Sequence, residues 1–599
     1  MHWRAWMTCP PEGLEPDNRC CPNRPVETGP VVQSCAIRNR LAGRCDLDCP
    51  VTSGFGSLGG GSKLHHRRSG DMGQRAEFRE MAISFPRGGS ELPSRSSLGF
   101  APIAALKIAL VASETAPFAK TGGLADVVAS LARALHRQGH EVRVFLPLYE
   151  SLRSDGHDLT PVEELRDIRI DYPDRSFTCC VSKAALPNSD REDGTVLDVE
   201  FIDCPELFDR GGYYTSDPDE HLRWSTLCRG TLDVLGRSGW SADVVHCNDY
   251  HTGLIPFYLR TTHRDVEPLA ETRTLLSIHN MSFQGTFGAD IIDELGLTDV
   301  RGMFHQGHLA QGRVGFLETG ILYASWLATV SETYATEIQE AEFGMGLEPL
   351  LKARSDQLVG IANGVDVDEW SPDRDALIPH RFSAADLTGK ADCRKALLDR
   401  FGIAQEPGPG STDPMVVGIV SRLTAQKGFE LLPDILPAYL EQVRIRLVVL
   451  GSGEERYERY FQSLRDSYPG SVGVYLGFHE ELAHWIEAGV DLFLMPSRFE
   501  PCGLNQMLSL RYGTVPLVRH TGGLADTVEP WDVDTSSGTG FVFHDFTADA
   551  LGATIDRALE VWDDRRSWAT LMQNGMARDF SWERQSASYV DLYRQMVAS

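Results

Sequence analysis

Five apolar runs of the kind that form buried strands each end in polar residues that could act on an anionic group. VGIVS leads to Arg422, with Lys427 five residues on in SRLTAQKG; LFLMPS leads to Arg498 and Glu500; TLLSI leads to His279 and Asn280. DVVHCN leads to Asp249 with His251 beyond it, and LVAS leads to Glu114 and then Lys120. In open parallel α/β sheets ligands bind outside the carboxyl ends of the strands, so a site would form at these positions. Arg422 and Lys427 on one loop can stabilise charge developing on a phosphate or diphosphate, although cations on a loop can also be simply solvated. Pro501 and Gly503 after Glu500 make a turn able to hold a carboxylate inward; the same glutamate could instead cap a helix.

The string TGGLAD occurs twice, at Thr121–Asp126 and Thr521–Asp526, each time before a helical pattern. Paired glycines allow close backbone approach, and the helix that follows points free N–H groups and its positive end at whatever lies there. Two such loops in two halves of one chain suggest one ligand gripped from both sides. Tight turns alone would also use these glycines.

The elements that must carry these residues are legible from Lys107 onward, where short apolar runs alternate with longer amphipathic stretches in the manner of parallel α/β structure. KIALVAS, EVRVFLP, VLDVEFID, DVVHCND, TLLSIHN and LATVS predict strands in the first half. MVVGIVSR, RIRLVVLGSG, VGVYLGF, DLFLMPS, VPLVRH and GFVFHD predict them in the second, so each half can build a doubly wound sheet. At 599 residues the chain exceeds a single core. The expected division is an extension over 1–104, a Rossmann-like domain over 105–360, a second over 361–575, and a last helix over 576–599 that crosses back to the first domain.

A net charge of -27 argues against a nucleic-acid partner and requires a local basic cluster if the ligand is an anionic nucleotide. No apolar run is long enough to span a membrane. Of 13 cysteines, six lie in the first 49 residues and the rest are scattered, as in a reduced, cytoplasmic protein. The first 104 residues lack hydrophobic periodicity and read as disordered; a plastid transit peptide, a zinc site on the six cysteines and an upstream start codon are the alternatives.

The motifs KTGGLADV, HCNDYHTGL, SIHNMSFQG, NGVDVDEW, SRLTAQKGFELL, PSRFEPCGLNQM and HTGGLADTV, in this order from about Leu106 onward, resemble those of the glycogen and starch synthases. The resemblance implies a GT-B fold, two doubly wound α/β domains facing a central cleft, and transfer of glucose from ADP-glucose, with UDP-glucose second, to an α-1,4-glucan primer with retention. It implies that Arg422 and Lys427 meet the departing diphosphate, that Glu500 stabilises the cationic glucosyl group, and that His279 contacts the transferring glucose. Lys120, Gly122, Gly123, Asp249, Asn280, Cys502, Gly503, Leu504, Thr521, Gly522 and Gly523 would bind the donor, with Glu114 on the acceptor side. Tyr250 stands where the family more usually carries Trp, and Phe478 where a Tyr often stacks on the base; both keep an aromatic face. No cofactor and no metal are expected: the nearest acidic pair, Asp366 and Asp368, reads as a turn at the domain crossover. Rival readings are another GT-B transferase, a phosphorylase, for which no lysine is well placed to carry pyridoxal, and a glucan-binding scaffold without activity.

Overall fold

The computed structural model describes residues 105–191, 193–404 and 413–599, so the expectations for 1–104 lie outside the described residues. All twelve strands expected from the apolar runs are present, divided between two sheets. In the first, Leu358–Gly360, Trp326–Thr329, Arg273–Ile278, Val244–Asn248, Lys107–Val111, Glu141–Pro147 and Asp198–Asp203 lie side by side in that order, all parallel. An antiparallel edge made by Ser176–Ala185, Thr160–Pro161 and Ile168–Asp171 extends it. This edge was not foreseen. Ser176–Ala185 alternates buried and exposed residues, as an antiparallel strand does with one face on the core, instead of running continuously apolar.

The second sheet is wholly parallel, in the order Val472–Leu476, Ile445–Gly451, Met415–Val420, Leu492–Met495, Val515–Arg519, Phe541–Phe543. Its strand IRLVVLG, next to the edge strand Val472–Leu476, is buried at every residue, which is why these strands read as unbroken hydrophobic runs. Strand order reverses between Lys107–Val111 and Val244–Asn248 in the first sheet, and between Met415–Val420 and Leu492–Met495 in the second. Such reversals splay the loops on either side and leave the crevice where doubly wound sheets bind ligands.

Two stretches run between the sheets side by side: Val365 N–H donates to Phe580 O at 2.9 Å, and Gly364 lies so close to Trp582 that a Cβ would come within 2.8 Å of its ring. The last helix, Trp582–Ala598, then packs on Gly123–Arg137. Tyr593 OH bonds His246 Nδ1 at 2.8 Å, Gln138 Nε2 donates to Ser586 Oγ at 2.7 Å and Arg273 Nε to Met596 O at 3.2 Å. No described helix is long and apolar enough to cross a membrane.

Candidate active site

In the second domain, strand Leu492–Met495 runs into Ser497 and Glu500 at one lip of the crevice, and Met415–Val420 runs into Arg422 and Lys427 at the other. Gly428 makes this juxtaposition possible: its φ is +72°, and a Cβ there would fall 1.9 Å from Pro496 O. The turn carrying Lys427 is thus pressed onto the end of the neighbouring strand. Lys427 Nζ meets Glu500 Oε2 at 2.5 Å, and Ser497 Oγ donates to the same oxygen at 3.1 Å. The Glu500 side chain is 8% exposed and that of Lys427 18%, so the pair is largely withdrawn from solvent, while Arg422, earlier on the same loop, is exposed. Asn505 Nδ2 donates to Val420 O at 2.7 Å and ties the helix Asn505–Arg511 to the other lip.

In the first domain, the strand ends on either side of the reversal are joined by side chains. Asp249 takes a φ of +55°, and its Oδ1 accepts the His279 N–H at 2.8 Å. Burial lifts its carboxyl to about 7. Asn248 Nδ2 donates to Val111 O at 3.0 Å, which leaves its Oδ1 to accept from His279 Nε2 at 2.9 Å. The network therefore assigns His279 the Nε2–H tautomer with a lone pair on Nδ1, and burial holds its pKa down to about 4, so it is neutral at pH 7. Asn280 Oδ1 accepts Ser282 N–H at 3.0 Å and closes the following turn. Gly285, φ +58°, passes over the Tyr250 ring so closely that a Cβ would be 2.1 Å from it.

The two repeated loops are each gripped by a glutamate. Glu114 accepts from Thr121 Oγ1 at 2.6 Å, Gly122 N–H at 3.3 Å, Tyr214 OH at 2.5 Å and the Thr121 N–H. Desolvation raises its pKa against the opposing effect of these bonds. Lys120 pairs with Asp126 at 2.7 Å, half exposed, and Gly123 faces the other domain, where a Cβ would sit 3.5 Å from Leu504. On the second loop, Glu337 of the first domain accepts from Thr521 Oγ1 at 2.9 Å and Gly522 N–H at 3.0 Å. Asp526 in turn accepts from Thr333 N–H at 3.0 Å and Oγ1 at 2.5 Å.

Thr521 and the glycines expected to bind the donor, Gly522 and Gly523, already have protein partners in this geometry. Gly523 N–H is spent on Glu500 O and Pro501 O, both at 3.1 Å, and a Cβ on Gly522 would be 1.9 Å from Glu500 O. The loop buttresses the Glu500 turn from behind and latches the two domains. Glu114 likewise serves the first loop and does not present a bare carboxylate to an acceptor. Cys502 is buried under the same turn, whereas Gly503, φ +72°, and Leu504 carry the chain to the crevice side.

Sequence reasoning missed Asn248, Ser497, Tyr214 and Glu337. Asn248 and Ser497 end strands and could have been included on that ground; the contacts of Tyr214 and Glu337 lie 100 and 184 residues away in sequence and leave no local trace. It also missed a trio able to hold a metal ion, His305, His308 and Glu318, which belongs to none of these strand ends. A pocket of about 660 Å³ opens beside the crossover, lined by Gly360, Asp526, Arg578 and Arg584 among others, and is separate from the Glu500–Lys427 crevice.

These features agree with what the chain is similar to. Residues 107–353 match the starch synthase catalytic domain model and residues 404–573 the glycosyl transferases group 1 model. The glycogen synthase of Geotalea uraniireducens (strain Rf4) is 41% identical over 498 residues, 82% of this chain and 99% of that protein. That of Anaeromyxobacter sp. (strain Fw109-5) is 42% identical over 498 residues, 82% and 100% of the respective chains. Among solved structures, the catalytic domain of starch synthase IV from Arabidopsis thaliana, bound to ADP and acarbose, superposes with a TM-score of 0.74 at 32% identity, over 83% of this chain and all of that one. With two doubly wound sheets, Lys427 and Glu500 at one reversal and Asp249 and His279 at the other, the chain belongs to the glycogen and starch synthase family of GT-B glycosyltransferases.

Proposed function

We propose that the protein transfers glucose from ADP-glucose to the non-reducing end of an α-1,4-glucan with retention of configuration. The observation that carries this reading is the largely buried Lys427–Glu500 pair at the strand reversal of the second domain, with Arg422 exposed on the same loop. Breaking a glucosyl phosphate bond leaves negative charge on the diphosphate and positive charge on the sugar. Lys427 and Arg422 answer the first and Glu500 the second, and the Lys427–Glu500 pair is in place before the reaction begins. Neutral His279, with its free Nδ1 lone pair and adjacent backbone, and Asp249, near its midpoint at pH 7, suit the uncharged hydroxyls of a glucose.

Gly123, at the start of a fifteen-residue helix, brings a backbone N–H and a helix dipole to the crevice opposite Leu504, and Lys120 adds a half-exposed cation. These cations offset locally the repulsion that a chain of charge -27 exerts on a nucleotide sugar. The starch synthase IV structure holds ADP and acarbose, which supports adenine over uracil and a glucan over a small acceptor. Bacterial relatives and seven free described cysteines support a cytoplasmic location.

The test compares ADP-glucose and UDP-glucose as donors on glycogen primer, with the anomeric configuration of the new linkage read by NMR. The reading predicts faster transfer from ADP-glucose and an α-1,4 product. Preference for UDP-glucose or a β linkage would contradict the donor or the stereochemistry respectively.

A further inference from the structure

Outside the crevice, three side chains with metal-ligand chemistry converge in the first domain. His305 precedes and His308 lies within the helical turn Gln306–Leu309, three residues apart and so on one face. Glu318 lies in the first turn of the helix Phe316–Tyr323. One ligand atom from each lies within 4.8 Å of the other two. His308 Nδ1 stands 2.5 Å and His305 Nδ1 3.4 Å from the same oxygen, Glu318 Oε1.

Proton bookkeeping shows what this cluster lacks. His305 Nδ1 carries a lone pair, spent at present on the long 3.3 Å bond from the His308 backbone N–H, which a metal would have to displace, and it faces a carboxylate that can only accept when ionised. His308, or Glu318 itself, whose carboxyl burial lifts to about 7, supplies the proton at this point. Arg313 is the nearby cation whose charge acts on both Glu318 and His308. The Glu318 side chain is 4% exposed, His308 18% and His305 41%: a carboxylate at the base, two imidazoles as walls, and an opening to solvent on the His305 side.

We propose that His305, His308 and Glu318 form a binding site for a divalent transition metal, with zinc favoured by the ligand set and water in the fourth position. Two imidazoles and a carboxylate are a common zinc set; tetrahedral ligands at about 2.0–2.1 Å from the ion lie about 3.3 Å apart, so the 3.4 Å separation of His305 and Glu318 already fits and the 2.5 Å contact of His308 with Glu318 opens to admit the ion. The ion's place is structural and independent of the glucosyl-transfer reading. The helix bearing Glu318 abuts the turn after Asp249, where a Cβ on Gly253 would come 2.3 Å from Phe316 O. A metal that joins this helix to the 305–308 turn stiffens the support behind Asp249.

The full-length protein, freed of metal with a chelator, is titrated with Zn²⁺ by calorimetry beside His305→Asn, His308→Ala and Glu318→Gln. Because six cysteines in the first 49 residues are zinc ligands in their own right, the site is read as the equivalent that all three substitutions remove. Co²⁺ in place of zinc identifies it a second way, by a d–d band without thiolate charge transfer. The proposal expects one more equivalent in the wild type, at least tenfold weaker binding at that equivalent in each variant, and a zinc-induced rise in melting temperature that the variants lose. Equal stoichiometry and affinity in the wild type, His305→Asn and Glu318→Gln would overturn it. His305 is exposed enough to be replaced without unfolding, so this comparison holds even if His308→Ala misfolds.

Discussion

Replacing Lys427 by Met removes the cation from its 2.5 Å contact with Glu500 while keeping most of the side-chain length. Glu500 is then left with Ser497 Oγ at 3.1 Å, in a crevice that exposes only 8% of its side chain. Removing one partner of a buried pair costs about 3–5 kcal/mol, because the remaining charge is uncompensated; the retained serine bond and the 18% exposure of Lys427 place this case at about 3 kcal/mol. Loss of a preorganised charge opposite a leaving diphosphate should separately lower turnover by about two to three orders of magnitude. The two effects are separated by adding Glu500→Gln. A neutral amide needs no cation, so the double variant should regain most of the stability, with a coupling of about 2 kcal/mol or more in the cycle, while turnover stays low. Chemical denaturation gives the stabilities and initial rates of glucose incorporation give turnover. A Lys427→Met protein with wild-type stability and turnover, or a double variant whose stability losses simply add, would refute the reasoning.

Glu337→Ala strips the acceptor from Thr521 Oγ1 and Gly522 N–H, both buried, and should cost about 2 kcal/mol in stability and loosen the Glu500 turn, so that turnover falls more than primer affinity. Glu337→Gln keeps an acceptor and should be the milder change; the reverse order would argue against the latch. Gly428→Ala places a methyl 1.9 Å from Pro496 O at a φ of +72°, and is expected to lower turnover far more than Gly470→Ala, whose φ is +85° but whose Cβ would meet nothing within 4 Å. Asp249, raised by burial to about 7, binds a proton in the folded chain that the unfolded chain releases near pH 4. Its contribution to stability therefore falls as pH rises from about 4 to 7 and is level above, and Asp249→Asn should flatten that slope; denaturation midpoints across this range test it.

Much of this architecture was legible because parallel strands buried on both faces must be continuously apolar, and a chain such as IRLVVLG has few other uses. The same runs located Arg422, Lys427, Asp249, His279 and Glu500, since a residue that ends such a strand at a reversal of order has little choice but to face the crevice. The antiparallel edge was missed because SFTCCVSKAA alternates, with Ser176, Thr178 and Lys183 facing outward between its buried residues, and so never makes a continuous apolar run. The protein contacts of the second TGGLAD loop were not legible for a different reason. A glycine pair signals close backbone approach, but it does not say whether the approaching group is a ligand or, as at Gly522 and Gly523, the carbonyls of Glu500 and Cys502. Glu337 could not be seen at all, because its partners come from the other domain.

The most direct test of the central claim is the rate of glucose transfer from ADP-glucose to glycogen by the wild type and by Glu500→Gln, with the melting temperature of both measured on the same preparations. Glu500→Gln preserves shape and the Ser497 contact and removes only the charge that would face the cationic glucosyl carbon. The account predicts transfer by the wild type, a loss of about a hundredfold or more in the variant, and a variant that melts lower because Lys427 loses its partner but, with Lys427 18% exposed to water, stays folded at the assay temperature. A variant that transfers glucose at the wild-type rate would contradict the assignment of this crevice as the active site.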